Sequence, residues 1–307
     1  MSSIITNVSA MTALKSLSAT NKGIETTQAR ISTGLEVAEA SDNAAYWSIA
    51  TTMRSDNNAL STVQDALGLG AAKVDVAYTG LNSAIDVVDE IKSKLVAARE
   101  PGVDRSKIQS EIGELQNQLV SITTSASFSG ENWLSVDSSA AGFSATESVV
   151  ASFNRSSSGA VSVSTIDVSI TSTKLFDANA AASGILDTTF TTTGAGAVTV
   201  SVSNLDITAA NIDDTDIDQM ISNVDTAIQN MTDSASILGS SKSRIDMQSD
   251  FVGNLMNAID RGIGQLVDAN MEEESTKLQA LQVQQQLGIQ ALSIANGNTQ
   301  SILSLFR

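Results

Sequence analysis

The most regular pattern in the chain is a heptad repeat between residues 60 and 98. Apolar or small residues recur there at alternating intervals of three and four, and only Gly70 lacks an apolar side chain. This spacing keeps one narrow face of a helix turned toward a partner helix, as in a coiled coil. We therefore predict a bundle seam, whose principal residues are Leu60, Val63, Leu67, Val74, Leu81, Val88, Ile91 and Leu95.

A second amphipathic helix follows a strong stop signal. Pro101 lacks the backbone N–H that a helix needs and Gly102 permits a sharp turn, so the first helix ends near them. Asp104 can cap the next helix, whose apolar stripe extends from Ile108 to Ala126. Because the connection is short, we expect the two helices to lie antiparallel.

A third apolar stripe begins near residue 217. Its positions are Ile217, Ile221, Val224, Ile228, Met231, Ala235 and Leu238, continuing with weaker polar steps through Ile245, Val252, Met256, Ile259, Ile263 and Leu266. A helix unbroken from about 215 to about 295 would measure roughly 120 Å at a rise of 1.5 Å per residue. That length is typical of an extended bundle.

Both ends of the chain carry apolar stripes on segments with few charges. The N-terminal stripe runs from Ala10 to Leu35, with no acidic residue before Glu25, and no charge lies between Lys277 and Arg307. Apolar faces this broad mark interaction surfaces. We expect terminal helices that pack on each other and on other copies, through Leu14, Leu17, Ile24, Ile31, Leu281, Leu287, Leu292, Ile294, Leu303 and Leu305.

The middle of the chain has a different composition. It is rich in Ser, Thr, Ala and Gly, and apolar residues alternate within 161–170 and 198–202, which favours short strands. We predict a mainly α protein: an elongated antiparallel helical bundle or coiled coil formed by the N- and C-terminal regions, with a small β-rich inserted domain. The predicted divisions are a terminal helix at 1–45, heptad helices at 46–138, a solvent-facing insert at 139–210, a returning helix at 211–262 and a C-terminal helix at 263–307.

Composition excludes several functional classes. The net charge is −17, from 17 Lys and Arg against 34 Asp and Glu, whereas nucleic acids and anionic membrane surfaces require clustered cations. Without Cys or His, disulfides, Ser-His-Asp triads and imidazole-bound metals cannot form. Aromatic residues make up only 4%, which suits helical packing better than a substrate cleft. We expect no catalytic site and no cofactor.

Neither end of the chain has the pattern of a signal peptide or a membrane helix. Residues 1–17 lack a cationic start followed by an unbroken apolar run, so we expect no cleaved signal. The uncharged stretch 278–306 is interrupted throughout by Gln, Asn, Ser and Gly, and these amides would be costly in lipid. We expect no membrane span, and any export must use another route.

Three short motifs have the spacing of ligand sites, but helix structure explains them better. The segment Gly68–Lys73 lies inside the heptad helix without a preceding strand, so its small residues favour close helix approach over phosphate binding. The segment Asp214–Asp218 has the spacing of a calcium loop without its turn glycine, and fits an acidic first helical turn. The side chains of Glu272–Glu274 point about 100° apart, so we expect a solvated face.

Three segments resemble the bacterial flagellin family. Ala29–Leu35 followed by Ala40–Ala45 is similar to the family's Arg-Leu-Ser-Thr/Ser-Gly stretch and the Asp-Asp-Ala-Ala after it. Phe128–Gly130 is similar to the turn that leaves the family's paired helices. The most specific segment is Gln285–Arg307, with Gln-Gln-Leu-Gly, Ala-Asn and Gln-Ser-Ile-Leu-Ser-Leu-Phe-Arg at matching spacing. Thr299 departs from the family pattern, because many relatives have Pro there.

The resemblance implies a structural subunit that is exported and polymerises into the flagellar filament for swimming motility. The terminal helices would form an inner tube, the heptad helices an outer tube, and the insert would face solvent. Implied partners are other flagellin subunits, an export chaperone on the C-terminal helix, and the filament cap and hook-associated proteins. The alternatives are a hook–filament junction protein and a secreted coiled-coil translocator or adhesin.

The same resemblance implies a segment that host immune receptors recognise. Plant receptors bind a flagellin stretch that corresponds here to Ala29–Ala50. At the positions of Glu36, Ser41, Asn43 and Tyr46, the recognised pattern usually has Arg, Lys, Asp and Gly. A reversed charge, a lost charge and a large ring at close contacts all oppose binding. We therefore expect weak recognition of this segment.

Overall fold

The computed structural model describes residues 7–179 and 183–305, and the side chains of residues 298–305 lie outside that description. The described helices are α1 Val8–Thr33, α2 Ala44–Ala98, α3 Arg105–Ser125, α4 Asp214–Val267 and α5 Met271–Leu305. They confirm the prediction of a mainly α protein with a strand-rich middle region. Within the described residues, no helix combines the length and the apolar character needed to cross a bilayer.

The strands lie between α3 and α4 and are arranged in two-stranded pairs. The antiparallel pairs are β1 Ser127–Phe128 with β2 Glu131–Asn132, β4 Thr146–Arg155 with β5 Val161–Ser169, and β7 Phe190–Thr191 with β8 Thr199–Val200. Strand β3 Ser135–Val136 runs parallel to β6 Phe176–Asp177. The alternation at 161–170 therefore predicted a real strand. At 198–202 only two residues form a strand, and a 3₁₀ helix follows at Val202–Asn204.

Local side-chain signals fix the helix ends. The Asn7 side chain accepts a hydrogen bond from the Ala10 N–H at the start of α1, and Asp104 accepts one from the Ser106 N–H at the start of α3, as predicted. Helix α1 ends at Gly34, whose φ of 73° is left-handed, a conformation that glycine adopts without a Cβ penalty. Helix α1 therefore ends well before residue 45, where the first predicted division of the chain ends.

The chain divides into two compact units. Unit 1 contains Met1–Asn58 and Met256–Arg307, and unit 2 contains Ala59–Leu255. The helix that begins at Asp214 does not continue unbroken to about 295, because α4 ends at Val267 and α5 begins at Met271. The Asn270 side chain accepts a hydrogen bond from the Glu272 N–H, so a new helix cap interrupts the apolar pattern.

Within unit 2, α2 and α4 are antiparallel and in constant register. Ion pairs join Asp75 to Lys242, Lys92 to Asp225, and Arg99 to Asp218. From one pair to the next, the position on α2 rises by as many residues as the position on α4 falls. Two straight helices that share one repeat produce this relation. The eight predicted seam residues of α2 are all buried.

The stripe predicted on α4 is correct at some positions and displaced at others. The buried residues are Ile217, Met220, Val224, Ala227, Met231, Ser234, Leu238, Ser241 and Ile245. The predicted Ile221, Ile228 and Ala235 each lie one residue beyond the buried position and are only partly buried. The seam therefore accepts small and polar residues on its inner face, while larger apolar residues lie beside it.

The strand-rich region packs directly on the helices of unit 2. Val149 on β4 lies over Gly70, where an added Cβ would come within 2.3 Å of its Cγ1. Beside Gly80, an added Cβ would come within 2.9 Å of both Ala126 and Leu134. The expectation that the glycines of Gly68–Lys73 allow close helix approach is therefore wrong at Gly70, because a strand side chain fills the space.

Candidate assembly surface

Helices α1 and α5 form an antiparallel terminal helix pair in unit 1. Asn7 donates from Nδ2 to the Ala295 carbonyl oxygen at 2.9 Å. Further along α1, Asn21 accepts a hydrogen bond from Gln285 Nε2 at 2.8 Å. Residue numbers rise along α1 as they fall along α5, which establishes the antiparallel direction. The prediction that the two terminal helices pack on each other is confirmed.

Two glycines allow the terminal helix pair to approach closely. An added Cβ at Gly23 would lie 3.4 Å from both methyl carbons of Leu281 on α5. In the reverse direction, an added Cβ at Gly288 would lie 3.2 Å from Leu17 Cδ1. Each helix therefore inserts a leucine into a gap on the other, an arrangement that resembles knobs packed into holes.

A small apolar cluster and three backbone hydrogen bonds hold the base of the terminal helix pair. The N–H groups of Glu36 and Val37 donate to the Val267 carbonyl oxygen, and the Ala269 N–H donates to that of Gly34. These bonds tie the loop after α1 to the segment between α4 and α5. The cluster below them has buried Val37, Ala50, Ile263 and Val267, with Trp47, Met53 and Ile259 packed against it.

A buried carboxylate lies near the same end of the pair. Glu274 Oε1 accepts from Arg30 Nη1 at 2.9 Å and from Lys277 Nζ at 3.3 Å. The Glu274 side chain is only 8% exposed. Burial raises the pKa of Glu274, but the hydrogen bonds from Arg30 and Lys277 outweigh it and hold that pKa below its ordinary value. The expectation of a fully solvated acidic face is therefore wrong at this residue.

The outer side of the terminal helix pair exposes large apolar side chains. Leu14 on α1 is 58% exposed, and Leu287 and Ile294 on α5 are 58% and 67% exposed. Other exposed apolar residues of the two helices are Val8, Met11, Met271, Val283 and Ile289. So many exposed large apolar side chains on two paired helices are unusual for a protein that works as a monomer.

The remaining predicted assembly residues lie nearer the interface between α1 and α5. Leu17, Ile24, Ile31, Leu281 and Leu292 are partly buried. The side chains of Leu303 and Leu305 lie outside the described residues. The sequence prediction omitted Val8 and Met11, because Val8 precedes the predicted stripe, which begins at Ala10, and Met11 lies beside that stripe.

The acidic segments that have ligand-site spacing are engaged in internal contacts. Arg99 pairs with Asp214 and Asp218, and Arg105 pairs with Asp214. The buried Asp216 accepts backbone N–H groups from Gly194 and Gly196. Asp214 and Asp218 are therefore paired with arginine side chains, whereas Asp216 is directed at the loop that contains Gly194 and Gly196. Among the described residues, no group of three acidic side chains could hold a metal ion.

The segment corresponding to the immune-recognition stretch covers the turn between α1 and α2. Glu36 and Ser41 are exposed, and Glu36 lies 3.8 Å from Arg30 across the turn. Asn43 is partly buried, and its side chain accepts the Tyr46 N–H at 3.3 Å. The Tyr46 ring is largely exposed. Three of the four residues that depart from the recognised pattern are therefore accessible.

Comparison with known proteins agrees with this geometry. The family model for the bacterial flagellin N-terminal helical region matches residues 4–139, and the model for the bacterial flagellin C-terminal helical region matches residues 221–306. The chain is 54% identical to flagellin C and 47% identical to flagellin A, both of Rhizobium meliloti strain 1021, over the full length of each. It is also 48% identical to a Brucella melitensis flagellin, again over both full lengths. The chain belongs to the bacterial flagellin family, whose members are structural subunits of the flagellar filament.

Proposed function

We propose that the exposed apolar face of the terminal helix pair is the surface through which copies of this chain polymerise into a flagellar filament outside the cell. The supporting observation is the exposure of Leu14, Leu287 and Ile294 on helices that are already paired with each other. Their own chain covers one side of each helix, so the opposite side requires another copy. Contacts between unlike faces that do not close into a ring extend as a helical polymer.

The apolar face contains enough side chains to drive such an assembly. Burying an exposed Leu, Ile, Val or Met contributes about 1.5–3 kcal/mol. Several such residues lie along α1 and α5, and no charged residue lies between Lys277 and Arg307 to oppose their burial. Only part of this gain appears as affinity, because association also costs translational and side-chain freedom. Repetition of the same contact along a polymer then stabilises the filament.

Electron microscopy of the purified chain after addition of short filament seeds tests the proposal. We expect long filaments from the unsubstituted chain and none from Ile294→Lys, because an unpaired lysine at a buried contact is costly. Ser157→Lys, in the turn between β4 and β5, is the matched control and should still assemble. Short collars would favour a hook–filament junction protein. Normal filaments from Ile294→Lys would remove this face from the assembly surface.

We also propose that α5 presents the same apolar face to an export chaperone before assembly, and that filament cap and hook-associated proteins contact it at the filament ends. Val283, Leu287 and Ile294 are exposed on this uncharged part of the helix. A face that must later be buried needs a temporary cover to prevent aggregation. Ile294→Lys should therefore reduce retention of the chain on an immobilised export chaperone, whereas Ser157→Lys should not.

For host recognition, we propose that the segment Ala29–Ala50 is a poor ligand of plant flagellin receptors. Its support is the exposed position of Glu36, Ser41 and Tyr46 and the charges and ring that they place there. A synthetic peptide of this segment should give little oxidative burst in plant tissue. Glu36→Arg, Ser41→Lys and Tyr46→Gly, singly and together, should restore the response.

The peptide series distinguishes two errors in this proposal. Activity of the unsubstituted peptide at nanomolar concentration would show that recognition is intact. No recovery in the triple substitution would show that other positions prevent recognition. Because the assay uses free peptides, its outcome is independent of filament assembly.

A further inference from the structure

The buried carboxylate of Glu274 has one satisfied oxygen and one unsatisfied oxygen. Oε1 accepts hydrogen bonds from Arg30 and Lys277, whereas the buried Oε2 has no hydrogen-bond partner among the described residues. Lys277 lies on the same helix, so it stays beside Glu274 wherever α1 lies. Arg30 is therefore the charge that depends on the alignment of the two helices.

The apolar contacts between α1 and α5 do not by themselves specify one alignment. A slip of seven residues would bring Leu17 opposite Leu281 and away from Gly288, and apolar side chains would still meet. The same slip would bring Gly23 into the position of Arg30, and Gly23 has no side chain to replace the guanidinium. A buried carboxylate that loses its partner is strongly unfavourable.

The backbone bridge between Leu35 and Asp268 lies at the same end of the pair. The groups of this bridge are accessible to water, because Asp268 is exposed and Leu35 is only partly buried, whereas the adjoining Val37 and Val267 are buried and also oppose a slip. Glu274 differs from both, because a slip would leave a buried carboxylate without its charged partner on α1. Buried polar pairs that select one register are well attested in coiled coils.

We propose that Glu274 is a positioning residue that, through Arg30, selects a single register of the terminal helix pair. This inference rests on the proposed function, because the register decides which apolar residues of α1 and α5 together form the face offered to other copies.

Disulfide trapping can report the register directly, because the chain has no cysteine. An added Cβ at Gly288 lies 3.9 Å from the Cβ of Leu17, which is the usual separation in a disulfide. The double variant Leu17→Cys and Gly288→Cys should therefore form an intramolecular disulfide in the native register. Leu17→Cys with Leu281→Cys reports the slipped register, because seven residues displace the target by about 10.5 Å.

Both cysteine pairs are then combined with Glu274→Gln in filaments of the full chain. We expect the native-register disulfide to decrease several-fold and the slipped disulfide to appear. Glu273→Gln is the matched control, since it removes an exposed carboxylate one residue away and should leave both yields unchanged. A variant that merely loosened the helices would lower the first yield without raising the second, and that result would overturn the proposal.

The same experiment separates this inference from the assembly proposal. Unchanged disulfide yields in Glu274→Gln filaments would overturn the positioning role while assembly stands. If the cysteine-free chain forms no filaments, the assembly proposal fails, and trapping in the monomer still measures the register. Disulfide-linked dimers in place of intramolecular crosslinks would show that Leu17 meets Gly288 of another copy, which would also overturn the positioning role.

Discussion

At the scale of single residues, the space beside each glycine of α2 decides whether a side chain could be added there without a clash. Gly70 occupies a heptad position on α2 that would ordinarily hold an apolar side chain, and Val149 fills the space beside it. Gly68, two residues earlier, has no atom within 4 Å of an added Cβ. The two glycines therefore have the same helix propensity and opposite steric surroundings.

These surroundings predict opposite effects of substitution. Gly70→Ala should lower the free energy of unfolding by about 1–3 kcal/mol, because the new methyl group overlaps Val149 and displaces β4. Gly68→Ala is the matched control and should raise stability by up to about 1 kcal/mol through helix propensity alone. Urea unfolding followed by circular dichroism measures both. Stabilisation by Gly70→Ala would show that β4 does not pack on the seam.

Sequence reasoning identified the eight seam residues of α2 but not the environment of single polar residues. Glu274 was assigned to a solvated face because three consecutive helical side chains point about 100° apart, and its neighbours Glu272 and Glu273 are indeed exposed. Its burial depends on Arg30, which lies 244 residues away in the chain. Local periodicity contains no information about such a partner.

At the scale of elements, the hairpin of β7 and β8 is fastened to the first turn of α4 by backbone N–H groups. Gly194 and Gly196 each donate to Asp216 at 3.0 Å, and Ala195 donates to Asp213 at 3.2 Å. The Thr192 hydroxyl, helped by the N–H groups of Gly196 and Asp213, lowers the pKa of Asp216 to about 2. The hairpin therefore depends on an ionised carboxylate.

This dependence predicts an acid-sensitive contribution to stability. The pKa of Asp216 is lower in the folded chain than its ordinary value of 3.8, so its contribution is complete above 3.8 and is lost as the pH falls toward 2. Unfolding midpoints measured from about pH 5 to about pH 2 should decline less steeply in Asp216→Asn than in the parent. Asp233→Asn, at an exposed carboxylate on α4 outside this contact, should retain the parent's slope. Identical slopes for all three chains would contradict the prediction.

The helices were predictable from periodicity, whereas their exact inner faces and ends were not. The α4 stripe was displaced at Ile221 and Ile228 because larger apolar residues adjoin the buried Met220 and Ala227. The division predicted between residues 262 and 263 lies a few residues before the actual break at Met271, because apolar residues continue on both sides of that break. The hairpin of β7 and β8 depends on contacts with α4 that no local pattern reveals.

At the scale of the whole molecule, buried apolar side chains are concentrated in unit 2. Among the described residues, the buried apolar side chains of unit 1 are Val37, Ala50, Ile263 and Val267. Unit 1 also contains the terminal helix pair, on which large apolar side chains remain exposed. Segments with few buried contacts open locally at low free-energy cost. The terminal helices of an isolated chain should therefore open far more readily than the helices of unit 2.

Limited trypsin digestion tests this difference. In dilute monomer, we expect cleavage after Lys15, Lys22 and Lys277 well before any cleavage within unit 2, because proteolysis of a transiently opened segment follows its opening free energy. In filaments the same sites should be protected, since neighbouring copies bury the terminal helix pair under the proposed function.

Ser157→Lys supplies an internal control, because a new site in the exposed turn between β4 and β5 should be cut at similar rates in monomer and filament. Terminal sites that resist trypsin in dilute monomer would show that α1 and α5 are stable without neighbours. Equal cleavage in monomer and filament, with the control site behaving as expected, would place the assembly contacts elsewhere in the chain.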